Sequence, residues 1–115
     1  MSVQRGGLRF GVLCLPALLV AGGVSAAAGG AATFQEKCAF CHGDKGQGIQ
    51  GLAPPLKGSS FVASASEAQL KSQILNGRTG KDRRYRDIPG GMPGVFMPES
   101  EMEALVEYVK GDLQR

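Results

Sequence analysis

The 115-residue chain has no tryptophan, a single histidine, three cysteines and only 6% aromatic residues. Each scarcity excludes something. One histidine rules out a metal centre built on paired imidazoles. Three cysteines fall short of the four thiolates of an iron–sulfur cluster, and Cys38, Cys41 and His42, with no second Cys or His pair beside them, are one ligand short of a structural zinc site. Few aromatics and 18 glycines leave a thin hydrophobic core. A chain this short has room for one domain, and small domains of this kind often need a staple, a metal or a cofactor. Charge is also nearly balanced: 13 Lys+Arg against 10 Asp+Glu give a net charge of +3, with no nucleic-acid footprint.

No charged residue occurs between Phe10 and Gln35. Arg5 and Arg9 stand before an apolar run, Phe10 to Val24, and Val24-Ser25-Ala26 follows as a small-residue cleavage pattern. This is the layout of a secretory signal peptide. Residues 1–26 are therefore expected to be a leader cut after Ala26, with Ala28 as the alternative cut. Residues 27–115 are expected to be the functional domain. An uncleaved membrane anchor is the competing reading. Pro16, Gly22-Gly23 and Gly29-Gly30 dilute the run below the ~20 strongly apolar residues of a typical span. Removing the leader takes Cys14 with it. Cys38 and Cys41 remain, in an oxidising compartment.

That remaining pair reads Cys38-Ala39-Phe40-Cys41-His42. C-x-x-C-H is the attachment signature of a c-type haem. Two thiols one helical turn apart can reach the two vinyl groups on one porphyrin edge. The adjacent His42 then lies under the iron as a ligand. A thioredoxin-like disulfide would need a β-rich run before the motif, and none precedes Cys38. A plain structural disulfide leaves His42 unexplained.

Four stretches, in this order and spacing, resemble the class I bacterial cytochromes c with one haem: CAFCHGDKGQG at 38–48, APPLKG at 53–58, GGMPG at 90–94 and EMEALVEYVKG at 101–111. The resemblance spans about Gly30 to Leu113. It implies an all-α fold of three to four short helices wrapped around one covalently bound haem c. It also implies that Phe34 and Gly30 mark the crossing of the first and last helices, with Leu105 and Tyr108 opposite. A proline carbonyl of the 43–60 loop is implied as partner of the second imidazole nitrogen. Pro54 and Pro55 both qualify, and Pro55 is preferred. Leu52 and Leu56 are expected to pack on the porphyrin.

Local signals place the helices. Ala31 to Lys37 reads as a short helix leading into the haem motif. Gly43 to Ser60 is a loop, by its glycines and the Pro54-Pro55 pair. Glu67 to Asn76 is a helix capped by Ser64-x-x-Glu67 or Ser66-x-x-Gln69 and stopped at Asn76-Gly77. Glu99 to Lys110 is the last helix, with Met102, Leu105, Val106 and Val109 on its apolar face and acidic residues in its first turn. Between these helices, Arg78 to Asp87 is a basic loop with three open readings: a solvated turn, a partner of the haem propionates, or a docking patch for an acidic redox protein.

The second axial ligand must come from Met92, Met97, Met102, a lysine or an open site. Met102 falls on the buried face of the last helix. Met97 stands where an apolar residue can staple the start of that helix. Met92 lies in Gly90-Gly91-Met92-Pro93-Gly94, where glycines let the backbone bend close over a haem face. The resemblance implies a ligand in this Met-Pro context, so Met92 is assigned. The stretch Met97-Pro98 departs from the Leu-Ser or Leu-Thr usual there.

The reading is thus an exported, periplasmic electron carrier and not an enzyme, with His42 and Met92 as ligands. Its partners would be a donor dehydrogenase or reductase and an acceptor oxidase or reductase. The alternatives are a membrane-anchored cytochrome c subunit of a larger oxidase or dehydrogenase complex, and a haem enzyme or gas sensor with an open site.

Overall fold

The computed structural model describes residues 7, 11–19, 22–23 and 26–115. Arg5, Arg9, Phe10 and the Val24-Ser25 part of the expected cleavage pattern lie outside the described residues. Among the described residues no helix is long and apolar enough to cross a membrane.

Five α-helical segments follow one another: α1 (Ala26–Lys37), α2 (Ala39–His42), α3 (Ser60–Ser64), α4 (Glu67–Asn76) and α5 (Glu99–Lys110). Short 3-10 turns at Gly80–Asp82 and Asp112–Gln114 complete them. No strand occurs among the described residues; two isolated bridges, Ile49 with Ala53 and Arg78 with Met92, are the extended pairings. The helices at 67–76 and 99–110 match expectation. The first helix starts earlier than its polar half suggested, because its opening alanines and glycines carry no periodicity to read. α3 begins at Ser60, the end of the expected loop, and runs on through residues 61–64, for which no element was expected. It is a single turn, too short for a periodic signal, yet Ser59 caps it by accepting from the Val62 N–H at 3.3 Å.

Two helices organise the rest. α1 crosses α5 in the most extensive helix–helix contact of the chain. Phe34 and Leu105 are fully buried there, and the Phe34 and Tyr108 rings pack tilted with centroids 5.6 Å apart. Gly30 makes the crossing possible. A Cβ at this position would run into the Ala104 carbonyl and approach the Tyr108 Cβ to 2.7 Å. Thr33 Oγ1 donates to Glu101 Oε1 across the same contact. Val62, Ala65, Leu70, Met97, Met102, Val106, Val109 and Leu113 extend this core.

α4 begins with a capping box: the Ser66 side chain accepts from the Gln69 N–H, and Gln69 Oε1 accepts from the Ser66 N–H. Of the two capping options in the sequence, the Ser66-x-x-Gln69 one forms. α5 starts behind Pro98 with no side-chain cap, and Glu99 and Glu101 occupy its positive first turn. At its far end Gln114 returns to the 43–60 loop, donating to the Leu56 carbonyl and accepting from the Gly58 N–H.

Candidate functional site

α1, α4 and the loops on either side of α4 surround a cleft of about 1070 Å³ of empty space, counted to its open mouth. The walls are mainly apolar: Leu52, Ala53, Leu56, Phe61, Ile74 and Val95 all face it. Cys38, Cys41, His42 and Met92 line it too.

Cys38 joins α1 to α2. Its N–H donates to the Phe34 carbonyl and its own carbonyl accepts from the His42 N–H, both at 2.9 Å. The hydrogen-bonded turn therefore carries through the motif and puts both thiols on one wall. Both are free thiols. Burial, and then the neighbouring Cys41, push the Cys38 thiol up to about 11, against a smaller pull from Lys37.

His42 is buried, and its Nδ1 lies 2.9 Å from the Pro54 carbonyl oxygen. A carbonyl can only accept, so Nδ1 carries the proton. The other nitrogen, Nε2, keeps a free lone pair. Burial holds the imidazole below its ordinary range, opposed by this same hydrogen bond. The structure thus gives the imidazole contact to Pro54, not to Pro55 as preferred from sequence. The reason is local. Ile49 and Ala53 exchange both backbone hydrogen bonds, at 3.0 Å each, and the carbonyl that leaves this bridge next is that of residue 54. Pro55 and Leu56 still line the cleft.

Met92 is held by backbone. It exchanges two hydrogen bonds with Arg78, N–H to carbonyl, at 2.7 and 2.8 Å. Gly77 and Gly91, one on each side of this bridge, take positive φ of 65° and 62°, which side chains rarely adopt. A Cβ on Gly77 would strike the Met92 carbonyl and come within 2.6 Å of the Gly94 nitrogen. Met97 and Met102 belong instead to the helical core and do not line the cleft.

The basic loop divides. Arg78, Arg83, Arg84 and Tyr85 line the cleft, whereas Lys81 and Arg86 do not. Arg78 and Arg84 both stand over the Phe61 ring, 5.4 and 5.5 Å from its centroid. Among the described residues no carboxylate lies within ion-pair distance of Arg78, Arg83 or Arg84. The site therefore has an apolar floor, a cationic rim and two soft or nitrogen donors. Phe61 and Gln73 also line the wall, and neither carries a sequence signal for it. Phe61 sits on the one-turn α3, and Gln73 reads as an ordinary polar helix position.

The donor set fits a haem c. It offers two thiols one turn apart, an imidazole in the correct tautomer, and a thioether on a second wall of the same apolar cleft.

Comparison with known proteins agrees. The cytochrome c family model matches residues 27–111. Over 76 residues the chain is 31% identical to the cytochrome c subunit of the quinone alcohol dehydrogenase of Gluconacetobacter polyoxogenes, a match covering 66% of this chain and 16% of that protein. Over 57 residues it is 39% identical to the cbb3-type cytochrome c oxidase subunit CcoP of Azospirillum sp. (strain B510), covering 44% of this chain and 19% of that one. The chain thus spans less than a fifth of either relative. Its fold matches the c-type cytochrome XoxG of Methylobacterium extorquens AM1 (TM-score 0.58, 18% identity, 77% of this chain and 51% of that one). It also matches cytochrome cL of Methylophaga aminisulfidivorans (TM-score 0.55, 20% identity, 76% and 59%).

Proposed function

The chain belongs to the cytochrome c family, and on that premise we propose that it is an exported one-electron carrier whose haem iron would be held by His42 and Met92. Membership carries the general function: electron transfer on a covalently attached haem c, between redox proteins, without turnover of a substrate. When bound, haem c supplies an iron that accepts and releases one electron.

The residues divide the remaining work. Cys38 and Cys41 would hold the haem through thioether links. His42 would hold the iron through Nε2, with the Pro54 carbonyl fixing its tautomer and raising its basicity. Met92 would offer a soft thioether sulfur, which favours the ferrous state and raises the potential. Leu52, Leu56, Ile74 and Val95 exclude water. Arg78, Arg83, Arg84 and Tyr85 line the same cleft and would offer donors to the haem propionates. The observation that carries this reading is the convergence of Cys38, Cys41, His42 and Met92 on one apolar cleft, with Met97 and Met102 buried elsewhere.

Residues 1–26 are proposed as the export leader and 27–115 as the haem domain, in the periplasm. A second reading has specific support. The relatives are named as subunits of an alcohol dehydrogenase and an oxidase, so the chain would serve as a tethered subunit with its leader retained. N-terminal sequencing of the exported protein separates the two: a start at Ala27 supports the free carrier, and an intact Met1 in the membrane fraction supports the tethered subunit. Acid–acetone extraction tests the attachment. The haem should stay with the protein, and its complete release would contradict covalent binding through Cys38 and Cys41.

A further inference from the structure

Pro54 and Pro55 stand side by side where the chain meets His42, and neither has a backbone N–H. The stretch that offers the Pro54 carbonyl cannot tie itself down by donating. What holds it must come from its two ends. The upstream end is the Ile49–Ala53 bridge. The downstream end is residues 56–58, and a side chain from beyond α5 takes hold there.

Gln114, half-buried on the 3-10 turn after α5, uses its whole amide. Nε2 donates to the Leu56 carbonyl at 3.2 Å and to the Val109 carbonyl at 2.8 Å. Oε1 accepts from the Gly58 N–H at 2.9 Å. Carbonyls only accept and a backbone N–H only donates, so a single amide orientation satisfies all three. By way of Val109, the strap 56–58 is fastened to α5. Its other side is fixed as well. The Leu56 and Lys57 N–H groups both donate to the Gly46 carbonyl, at 2.8 and 2.9 Å. Buried Leu113 packs behind Gly46, where a Cβ would come within 3.0 Å of its Cδ2. Lys57 Nζ adds a tie at the surface, to the Arg115 carbonyl. α5 also seats α1, which carries on into the Cys38–His42 turn. Both partners of the 2.9 Å His42–Pro54 contact are thus located from one helix.

We infer that Gln114 is a positioning residue for the imidazole: it holds the Pro54 carbonyl on His42 Nδ1. The inference rests on His42 holding the haem iron through Nε2. A carbonyl kept at Nδ1 makes the imidazole more basic, and a more basic imidazole favours ferric over ferrous iron. Gln114 therefore lowers the potential, against the pull of the Met92 sulfur.

The test uses the haem-loaded full chain, its ferrous form followed by proton resonance. In the wild type, His42 ring protons moved far upfield by the haem mark the imidazole as an axial ligand. Gln114→Leu removes the amide at similar volume. Gln114→Met does so without branching and stands in if the leucine variant fails to fold. In both, the Nδ1 proton of His42 should exchange with solvent about fivefold faster than in the wild type, the scale of one net hydrogen bond. The potential should rise. Ser66→Ala is the control: it removes the α4 cap, an uncharged loss of similar size on a helix that makes no hydrogen bond to the strap. Exchange and potential should both stay at wild-type values there. Unchanged exchange and potential in both Gln114 variants would overturn the inference. The same shifts in Ser66→Ala would trace them to general stability and overturn the positioning role. A wild type whose His42 ring protons are unshifted overturns the ligation of His42 and this inference with it, and those resonances alone distinguish that case.

Discussion

Met92, Met97 and Met102 have the same side chain and three different environments. Met97 and Met102 are buried among Phe34, Leu105 and Val106, where a thioether is a flexible apolar filler. Met92 is half-exposed on the cleft wall, with its sulfur 3.9 Å from Gln73 Nε2. Chemistry at this scale follows from what surrounds the sulfur. Met97→Ala and Met102→Ala should each cost about 2–5 kcal/mol of stability, as buried Met-to-Ala changes do, and leave the haem spectrum intact. Denaturant unfolding followed beside the absorption spectrum checks both halves. The cysteines and His42 were legible in the sequence because C-x-x-C-H fixes residue types at fixed spacing. The choice between Pro54 and Pro55 was not. It depends on the Ile49–Ala53 bridge, a pairing between residues that carry no strand pattern.

Helices and straps set where these residues stand. α1 against α5 depends on Gly30, and the glycine beside it is a natural control. A Cβ at Gly29 meets nothing within 4 Å, whereas one at Gly30 collides with α5 backbone. Gly29→Ala should be neutral or add up to about 1 kcal/mol through helix propensity. Gly30→Val should lower the melting temperature sharply, and a melt as high as the wild type's would contradict the close crossing. The second element is the strap that joins Arg78 to Met92. Gly77→Ala demands a positive φ of alanine and drives its Cβ into the Met92 carbonyl. The ligand loop should loosen, and ferric protein should bind added imidazole more readily than the wild type. The bounds of α4 and α5 could be read from apolar spacing and caps. α3 could not, since one turn offers no period. The strap could not either: the glycines around Met92 announced a bend, but its partner, the C-terminal end of α4, is a tertiary fact.

Across the whole molecule the apolar residues form two unequal parts. One is the closed core under the α1–α5 crossing. The other is the cleft, whose walls of Leu52, Leu56, Ile74 and Val95 remain partly open. A domain of this size has little hydrophobic surplus, and here much of its apolar wall faces the haem site. Folding should therefore depend on haem attachment. The chain made without export and without haem should be largely unstructured by circular dichroism, and a cooperative thermal transition in that form would contradict the account. Charge is arranged on the same scale: Arg78, Arg83 and Arg84 line the cleft, while Lys81 and Arg86 lie off it and face solvent.

The carrier role proposed for this chain implies a closed coordination sphere, and its closure would rest on the Met92 sulfur. The most direct measurement is the red-edge absorption of the ferric protein, taken for the wild type, Met92→Ala and Met97→Ala, with carbon monoxide added to each ferrous form. The wild type and Met97→Ala should show the thioether band and resist carbon monoxide. Met92→Ala should lose the band, fall in potential and bind carbon monoxide readily. A wild type that lacks the band and takes up carbon monoxide at once would mean an open site, and would contradict the carrier mechanism proposed for this chain.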